Sequence, residues 1–307
     1  MTAPELTIRL VPRRRLIGLA FGAMHSARRG TGSDVAGSRP YRPGDDVDAI
    51  DWAATAKLSS AHGADEFVVR ERYAEQAPRV VAVCDRRPSM ALFPAPLPWL
   101  SKPDAVRAAV DVIAASAIRA RGFIGYLDYA GGAPFWHRPQ SERGFRELVD
   151  DHLSESTFDA PSDNLAVALS HLVLFRRDVP PGSFVFVVSD FLAPPPAEAW
   201  TDALERGWDV VPVVVQDPTW EQSFPEVGRL LVPMADPATG RLRAVRLSDA
   251  EAEERRQAHE RRLARTLEDF RRLGLEPVVV SASAPEAVFR SFLDWATERQ
   301  FSRAPTW

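Results

Sequence analysis

The sequence predicts an α/β protein: a doubly wound, mostly parallel sheet, with a partly β N-terminal lead-in and a β-hairpin insertion. Three observations carry this. From about residue 78 onward, apolar runs of strand length alternate with longer stretches at helical spacing, the pattern of a parallel sheet covered by helices on both faces. Those runs are unbroken by polar residues, as in strands that look fully buried. The chain has 307 residues, 45% hydrophobic and 26% charged, so it can bury a large core as one big domain or two smaller ones.

The elements follow in order. "ELTIRLV" alternates at period two, residues 26–37 are rich in Gly, Ser and Arg, and "SRPYRPGDDVDAIDWAATAK" follows. Residues 1–77 are therefore expected to form an irregular, partly β segment, with strand-like "EFVVRERY" adding to the sheet edge. Residues 78–301 are expected to form the α/β domain. Its strands are "RVVAVCD", "FIGYLDYA", "SFVFVVSDF", "WDVVPVVVQD" and "PVVVSAS". Val106, Val110, Ile113, Ala114 and Ala117 form one apolar helical stripe, and Leu165, Ala168, Leu169, Leu172 and Val173 another. Leu263, Leu267, Phe270 and Leu273 line a charged helix that Gly274 ends, and Val288, Phe289, Phe292, Leu293 and Ala296 a final one. About 218–247, Pro/Gly turns and short apolar runs interrupt the alternation, and "DPATG" is turn chemistry suited to a hairpin.

Charge and composition exclude several roles. A net charge of -4 argues against a general nucleic-acid or membrane-surface role. Lys57 and Lys102 are the only lysines, a skew toward arginine that reads as genome composition. The apolar run from Leu16 to Met24 is far short of a membrane span, and the N-terminus lacks the order of a signal peptide. No membrane insertion and a cytoplasmic location are expected. The single cysteine, Cys84, excludes an internal disulfide, and within an apolar strand it reads as a small hydrophobe, not a nucleophile. The six histidines show no metal-ligand spacing, and no phosphate-binding glycine loop follows a strand.

Loops at the carboxyl ends of parallel strands form the crevice where ligands bind, and three strands finish in aspartate: Asp85, Asp190 and Asp217. Gathered carboxylates repel one another unless a cation or an arginine sits among them. Asp217, before Pro218, is read as a turn residue and left out of the site.

"CDRRPSM" after an apolar strand resembles a degenerate Asp-x-Ser-x-Ser motif of von Willebrand factor A-type domains. "SRPYRPGDDVDAIDWAATAK", with "VVVQDPTWEQSFPEVG" and "ADPATGR" later, is similar to the signature of the bacterial domain-of-unknown-function fifty-eight family, over about residues 6–281. That resemblance implies an A-like, Rossmann-like fold and a non-catalytic interaction protein working with a MoxR-type AAA+ ATPase, or its client, in protein assembly or remodelling. In intact A-type domains the motif holds magnesium. Asp85 matches the aspartate and Ser89 the second serine, but Arg87 replaces the first serine. Asp163, beside Ser162, falls where a threonine is expected, and Asp190 matches the later aspartate.

Two readings follow. In the first, Arg87 forks onto Asp163 or Asp190 and fills the cation's place, so no cofactor is needed. In the second, Arg87 turns outward to an acidic partner while Asp85, Ser89, Asp163 and Asp190 cage Mg2+. The first is preferred, because a guanidinium close to a dication is costly in a cleft. The expected partner-binding face is Asp85, Arg87, Ser89, Asp163 and Asp190. Tyr41, Ile50 and Trp52 are expected to clasp the A-type domain. The alternatives are a hydrolase or phosphotransfer enzyme using Asp85, though Arg87 stands where that chemistry wants a second aspartate, and a structural scaffold binding through the hairpin around Pro233 to Leu242.

Overall fold

The computed structural model describes residues 6–12, 24–41, 50–62, 67–93, 100–141, 144–236 and 241–301. It divides into two units, Pro12–Pro78, and Met1–Val11 with Arg79–Trp307.

In the smaller unit, β1 (Met24–Pro40) pairs antiparallel with β2 (Val68–Gln76) through three register shifts, and α1 (Trp52–His62) lies between them in sequence. The Gly/Ser-rich stretch read as irregular is thus a bulged strand, since glycine tolerates the breaks in register. "EFVVRERY" does not join the main sheet edge as expected; it pairs with β1 in a sheet of its own. Tyr41 and Trp52 each meet the Phe67 ring edge-on, at 6.4 and 6.2 Å, and Ile50 bridges to Val69, so this trio gathers within its own unit. The whole of "RPGDDVDA", residues 42–49, lies outside the described residues.

The larger unit runs β3 (Arg79–Cys84), α2 (Lys102–Arg119), β4 (Phe123–Asp128), β5 (Phe135–Gln140), α3 (Phe145–Glu155), α4 (Asn164–Leu174), β6 (Phe184–Ser189), α5 (Ala197–Glu205), β7 (Asp209–Val215), β8 (Leu231–Ala235), β9 (Leu242–Arg246), α6 (Asp249–Arg272), β10 (Val278–Val280) and α7 (Pro285–Phe301). Six strands form one sheet in the order β10-β7-β6-β3-β4-β5. All are parallel to their neighbours except β5, which is antiparallel to β4. All five expected strands are present. Edge strand β5 was not anticipated, because "FWHRPQ" is polar and carries Pro139, which the ladder tolerates only at an edge. A β-carbon on Gly125 would stand 2.8 Å from the His137 carbonyl oxygen, so that close pairing needs glycine.

The strands are valine- and phenylalanine-rich because both faces are covered. On β6, Val185 and Val187 join a cluster with Leu165, Leu169, Trp200 and Phe270, while Phe186 meets Phe292 and Trp295 of α7 on the other face. Gly274, at φ 70°, ends α6. Its N–H bonds to Arg271 O and that of Leu275 to Phe270 O, the double bond that closes a helix through a left-handed residue.

Residues 6–11 make no strand but belong with this unit. Their alternation is real: Ile8 and Leu10 are buried and Arg9 is exposed. The Ile8 N–H donates to Ser116 Oγ at 3.0 Å, which replaces a ladder. Arg299 of α7 then ties down Val11, forking onto Asp209 at 3.0 and 3.1 Å, donating to Val11 O at 3.1 Å and pairing with Glu276. β8 and β9 form the expected hairpin, an antiparallel pair, with the turn at 237–240 outside the described residues.

Candidate functional site at the strand ends

Strands added to one side of β3 run β4 then β5, and those on the other side run β6, β7 and β10, so the chain reverses direction between β3 and β6. Crevices open at such points, beyond the carboxyl ends of the strands. Asp85 follows β3 and Asp190 follows β6, so both stand at the reversal.

Asp85 is fully buried. The guanidinium of Arg87 forks onto it, with Nε 2.9 Å and Nη2 2.5 Å from Oδ2. The Arg87 N–H donates to Oδ1 at 2.9 Å, Ser189 Oγ to Oδ2 at 2.6 Å and Asn164 Nδ2 to Oδ1 at 3.2 Å. Arg87 Nη2 also stands 3.6 Å from Asp190 Oδ1, and Nη1 donates to Ala193 O at 2.8 Å. Burial pulls the Arg87 pKa down, but its hydrogen bond with Asp85 and the charges of Asp85 and Asp190 outweigh that, raising it above the ordinary value.

A second cation stands on the other side of Asp190. Lys102, wholly buried at the start of α2, donates to Asp190 Oδ2 at 2.9 Å, Glu221 Oε1 at 2.5 Å and Ser89 O at 3.1 Å. Burial opposes its charge, yet Asp190 and Glu221 together raise its pKa. Asp190 loses solvation but is held below the usual carboxylate range by Lys102 and by hydrogen bonds from Ser89 and the Leu192 N–H. Glu221 is pushed up by burial and by Asp190, more than Lys102 pulls it down. One ammonium between two carboxylates therefore favours the charge on Asp190 over that on Glu221. The turn after Asp190 is strained: Phe191 adopts φ 49°, fully buried, with its ring 5.9 Å from Trp200 and 5.1 Å from Phe270.

Of the five residues expected on the face, the structure brings together Asp85, Arg87, Ser89 and Asp190. Asp163 is a correction. It is exposed at the N-cap of α4, with no side-chain capping bond, and Arg87 forks onto Asp85 instead. The helix begins one residue later, so buried Asn164 supplies the contact expected of Asp163. Asp217 closes a turn, accepting the Thr219, Trp220 and Leu100 N–H groups. The residues do not fit magnesium: arginine, serine and asparagine donors occupy both oxygens of Asp85, lysine and a backbone N–H those of Asp190, and Asp163 lies outside.

Sequence reasoning missed Lys102, Glu221, Ser189 and Asn164. It also missed a fourth strand-end carboxylate. Asp128 closes β4, fully buried, with the Tyr126 hydroxyl 2.8 Å and His152 Nε2 2.9 Å from Oδ2, and Arg86 Nε at 3.7 Å. Arg86 stacks on Phe158, 4.0 Å from the ring centroid. Between these clusters, burial and then the charge of Asp128 push the Cys84 thiol far up. Cys84 is therefore expected to resist a thiol reagent such as dithionitrobenzoate in native buffer and to react fully in urea; rapid native labelling contradicts this.

The chain is 27% identical over 239 residues to the uncharacterized protein Rv1480 of Mycobacterium tuberculosis, covering 77% of this chain and 71% of that one. Among solved structures it aligns with BatB from Bacteroides thetaiotaomicron, at TM-score 0.39 and 17% identity, over 72% of this chain and 99% of that one. It also aligns with an aerotolerance-related membrane protein from Bacteroides fragilis, at TM-score 0.40 and 12% identity over the same shares, and with an uncharacterized membrane spanning protein from Vibrio fischeri, at TM-score 0.21 and 13% identity, over 70% and 98%. Likeness this distant carries no argument about fold or activity. The expected cytoplasmic location is withdrawn: two of these neighbours, those from Bacteroides fragilis and Vibrio fischeri, are described as membrane proteins. That expectation rested on the shortness of the apolar run from Leu16 to Met24, the missing signal-peptide order and the single cysteine, none of which reports attachment to a membrane. No helix among the described residues is long and apolar enough to cross a membrane. The family described as protein of unknown function DUF58 matches residues 37–267, three quarters of the sequence, and the chain belongs to it.

Proposed function

We propose that the chain is a non-catalytic adaptor with a von Willebrand factor A-like domain, working with a MoxR-type AAA+ ATPase to assemble or remodel a client protein. The observation that carries this reading is the Arg87 fork, a guanidinium 2.5 Å from Asp85 and 3.6 Å from Asp190 at the point where the sheet reverses. With its charge supplied internally, the rim docks without a metal. Asp85, Arg87, Ser89 and Asp190 are buried, so they act by fixing the loops around them, and exposed Asp163 meets the partner. Against the hydrolase or phosphotransfer alternative, both oxygens of Asp85 are engaged and none is presented to solvent.

A pull-down with the purified ATPase tests the reading. Wild-type chain is expected to be retained, and Arg87→Ala and Asp163→Ala to bind more weakly. Equal retention of all three refutes the rim as the docking face. Saturable magnesium binding by calorimetry, abolished in Asp85→Ala, refutes the metal-free site.

A further inference from the structure

The β8–β9 hairpin has two dissimilar faces. Met234 and Val245 pack against the cluster of Phe224, Leu247 and Ala252, and Val232 is buried. Side chains alternate across a strand. The register pairs Leu231 with Arg246, Pro233 with Ala244 and Ala235 with Leu242, so Leu231, Pro233, Ala244 and Leu242 share the opposite face. All four are exposed, Leu231 at 63% and Leu242 at 71%, and Leu230 just before them is at 59%. A single exposed leucine needs no explanation, but a run along one sheet face marks an interaction surface.

The charge on this element identifies what fits it. From residue 229 to 246 the sequence carries Arg229, Arg241, Arg243 and Arg246 against Asp236 alone, in a chain whose net charge is -4. The patch is thus apolar, with Arg246 opposite Leu231 on the same face, and the element around it is locally basic. Leu231 and Leu242 stand at opposite ends of it, about 13 Å apart along the strands, with the small Pro233 and Ala244 between them. That separation equals about nine residues of helix rise.

We propose that this face docks an acidic amphipathic helix of a partner protein, with the helix's apolar stripe across Leu231 and Leu242 and its carboxylates over the arginines. The leucines lie along the strands, whereas a hairpin entering a bilayer needs them at its tip, which here reads "DPATGR". The docking is independent of the strand-end rim.

The test selects a phage-displayed library of peptides about four helical turns long on the full chain, then titrates the recovered peptides by fluorescence anisotropy. The expected peptides are rich in Glu and Asp, with apolar residues at helical spacing. Binding should weaken with salt and fall at least about tenfold in Leu231→Ser/Leu242→Ser and in Arg246→Glu, which stands opposite Leu231 on the same face. Both leucines are mostly exposed, so the first variant should keep its melting temperature; exposed Arg246 gives a second, independent variant. An empty selection, peptides without that pattern, or equal binding to the variants overturns the proposal. So does sedimentation with phosphatidylserine vesicles that the leucine variant loses, which assigns the face to lipid, or a dimer that the same variant dissolves, which assigns it to a second copy.

Discussion

Replacing Lys102 with methionine should cost about 3–5 kcal/mol of folding stability, because it strands two carboxylates in the interior. Urea titration should show the loss, as should a melting temperature lower by roughly 10 °C. The pH dependence distinguishes this cause from lost packing. The folded pKa of Lys102 is raised, so the stability from its charge is complete below the ordinary lysine value and lost as pH rises through the folded one. Asp190 is lowered, so its contribution is present above the ordinary carboxylate value and lost as pH falls through its folded pKa. Glu221, raised, has the opposite sign and gains from acid. The wild type should therefore hold a constant urea midpoint through neutrality and weaken above about pH 10.4. The methionine variant should instead gain stability on mild acidification, as the stranded Glu221 takes a proton. Glu221→Gln added to it should recover part of the loss. A variant that melts like wild type, or that ignores pH, would remove the ion cluster as a determinant of the fold.

Arg87→Ser should be comparably damaging in the absence of metal, by about 3–5 kcal/mol, since Asp85 and Asp190 then face each other with one cation fewer. The introduced hydroxyl completes the Asp-x-Ser-x-Ser spacing, so this variant, unlike wild type, should be stabilised by magnesium. At a concentration one hundred times the dissociation constant, the recovery is about 2.7 kcal/mol. Arg87→Ala should show the loss with less recovery. Paired urea titrations with and without magnesium chloride measure both, and indifference of Arg87→Ser to magnesium would mean that the guanidinium does not stand in a cation's place.

What the sequence disclosed and what it hid divide along physical lines. Unbroken valine runs can only be strands covered twice, and a strand-end aspartate must find a counter-charge, so the sheet and Arg87 as the internal cation were legible locally, but not that it forks onto Asp85 and not onto Asp163 or Asp190. Asp128 obeys the same rule at the end of "FIGYLDYA" and was legible too; the reading passed over it. Lys102 and Glu221 were hidden because they converge from positions 119 apart, which no local pattern encodes. The signal that could have pointed to Lys102 was rarity: a lysine kept in a chain that otherwise uses arginine, set between "LPWLS" and a helix-starting proline. Asp163 failed by one residue, since a helix start displaced by one position rotates a different side chain inward. The lead-in was read as only partly β, with no strand placed in its Gly/Ser-rich stretch, because bulges destroy the period-two pattern that identifies strands.

The tie from Arg299 to Val11 spans 288 positions. During synthesis, residues 6–11 leave the ribosome long before the guanidinium that secures them. The segment therefore cannot be fastened in place until α7 has also emerged, and it must wait meanwhile beside a half-built sheet.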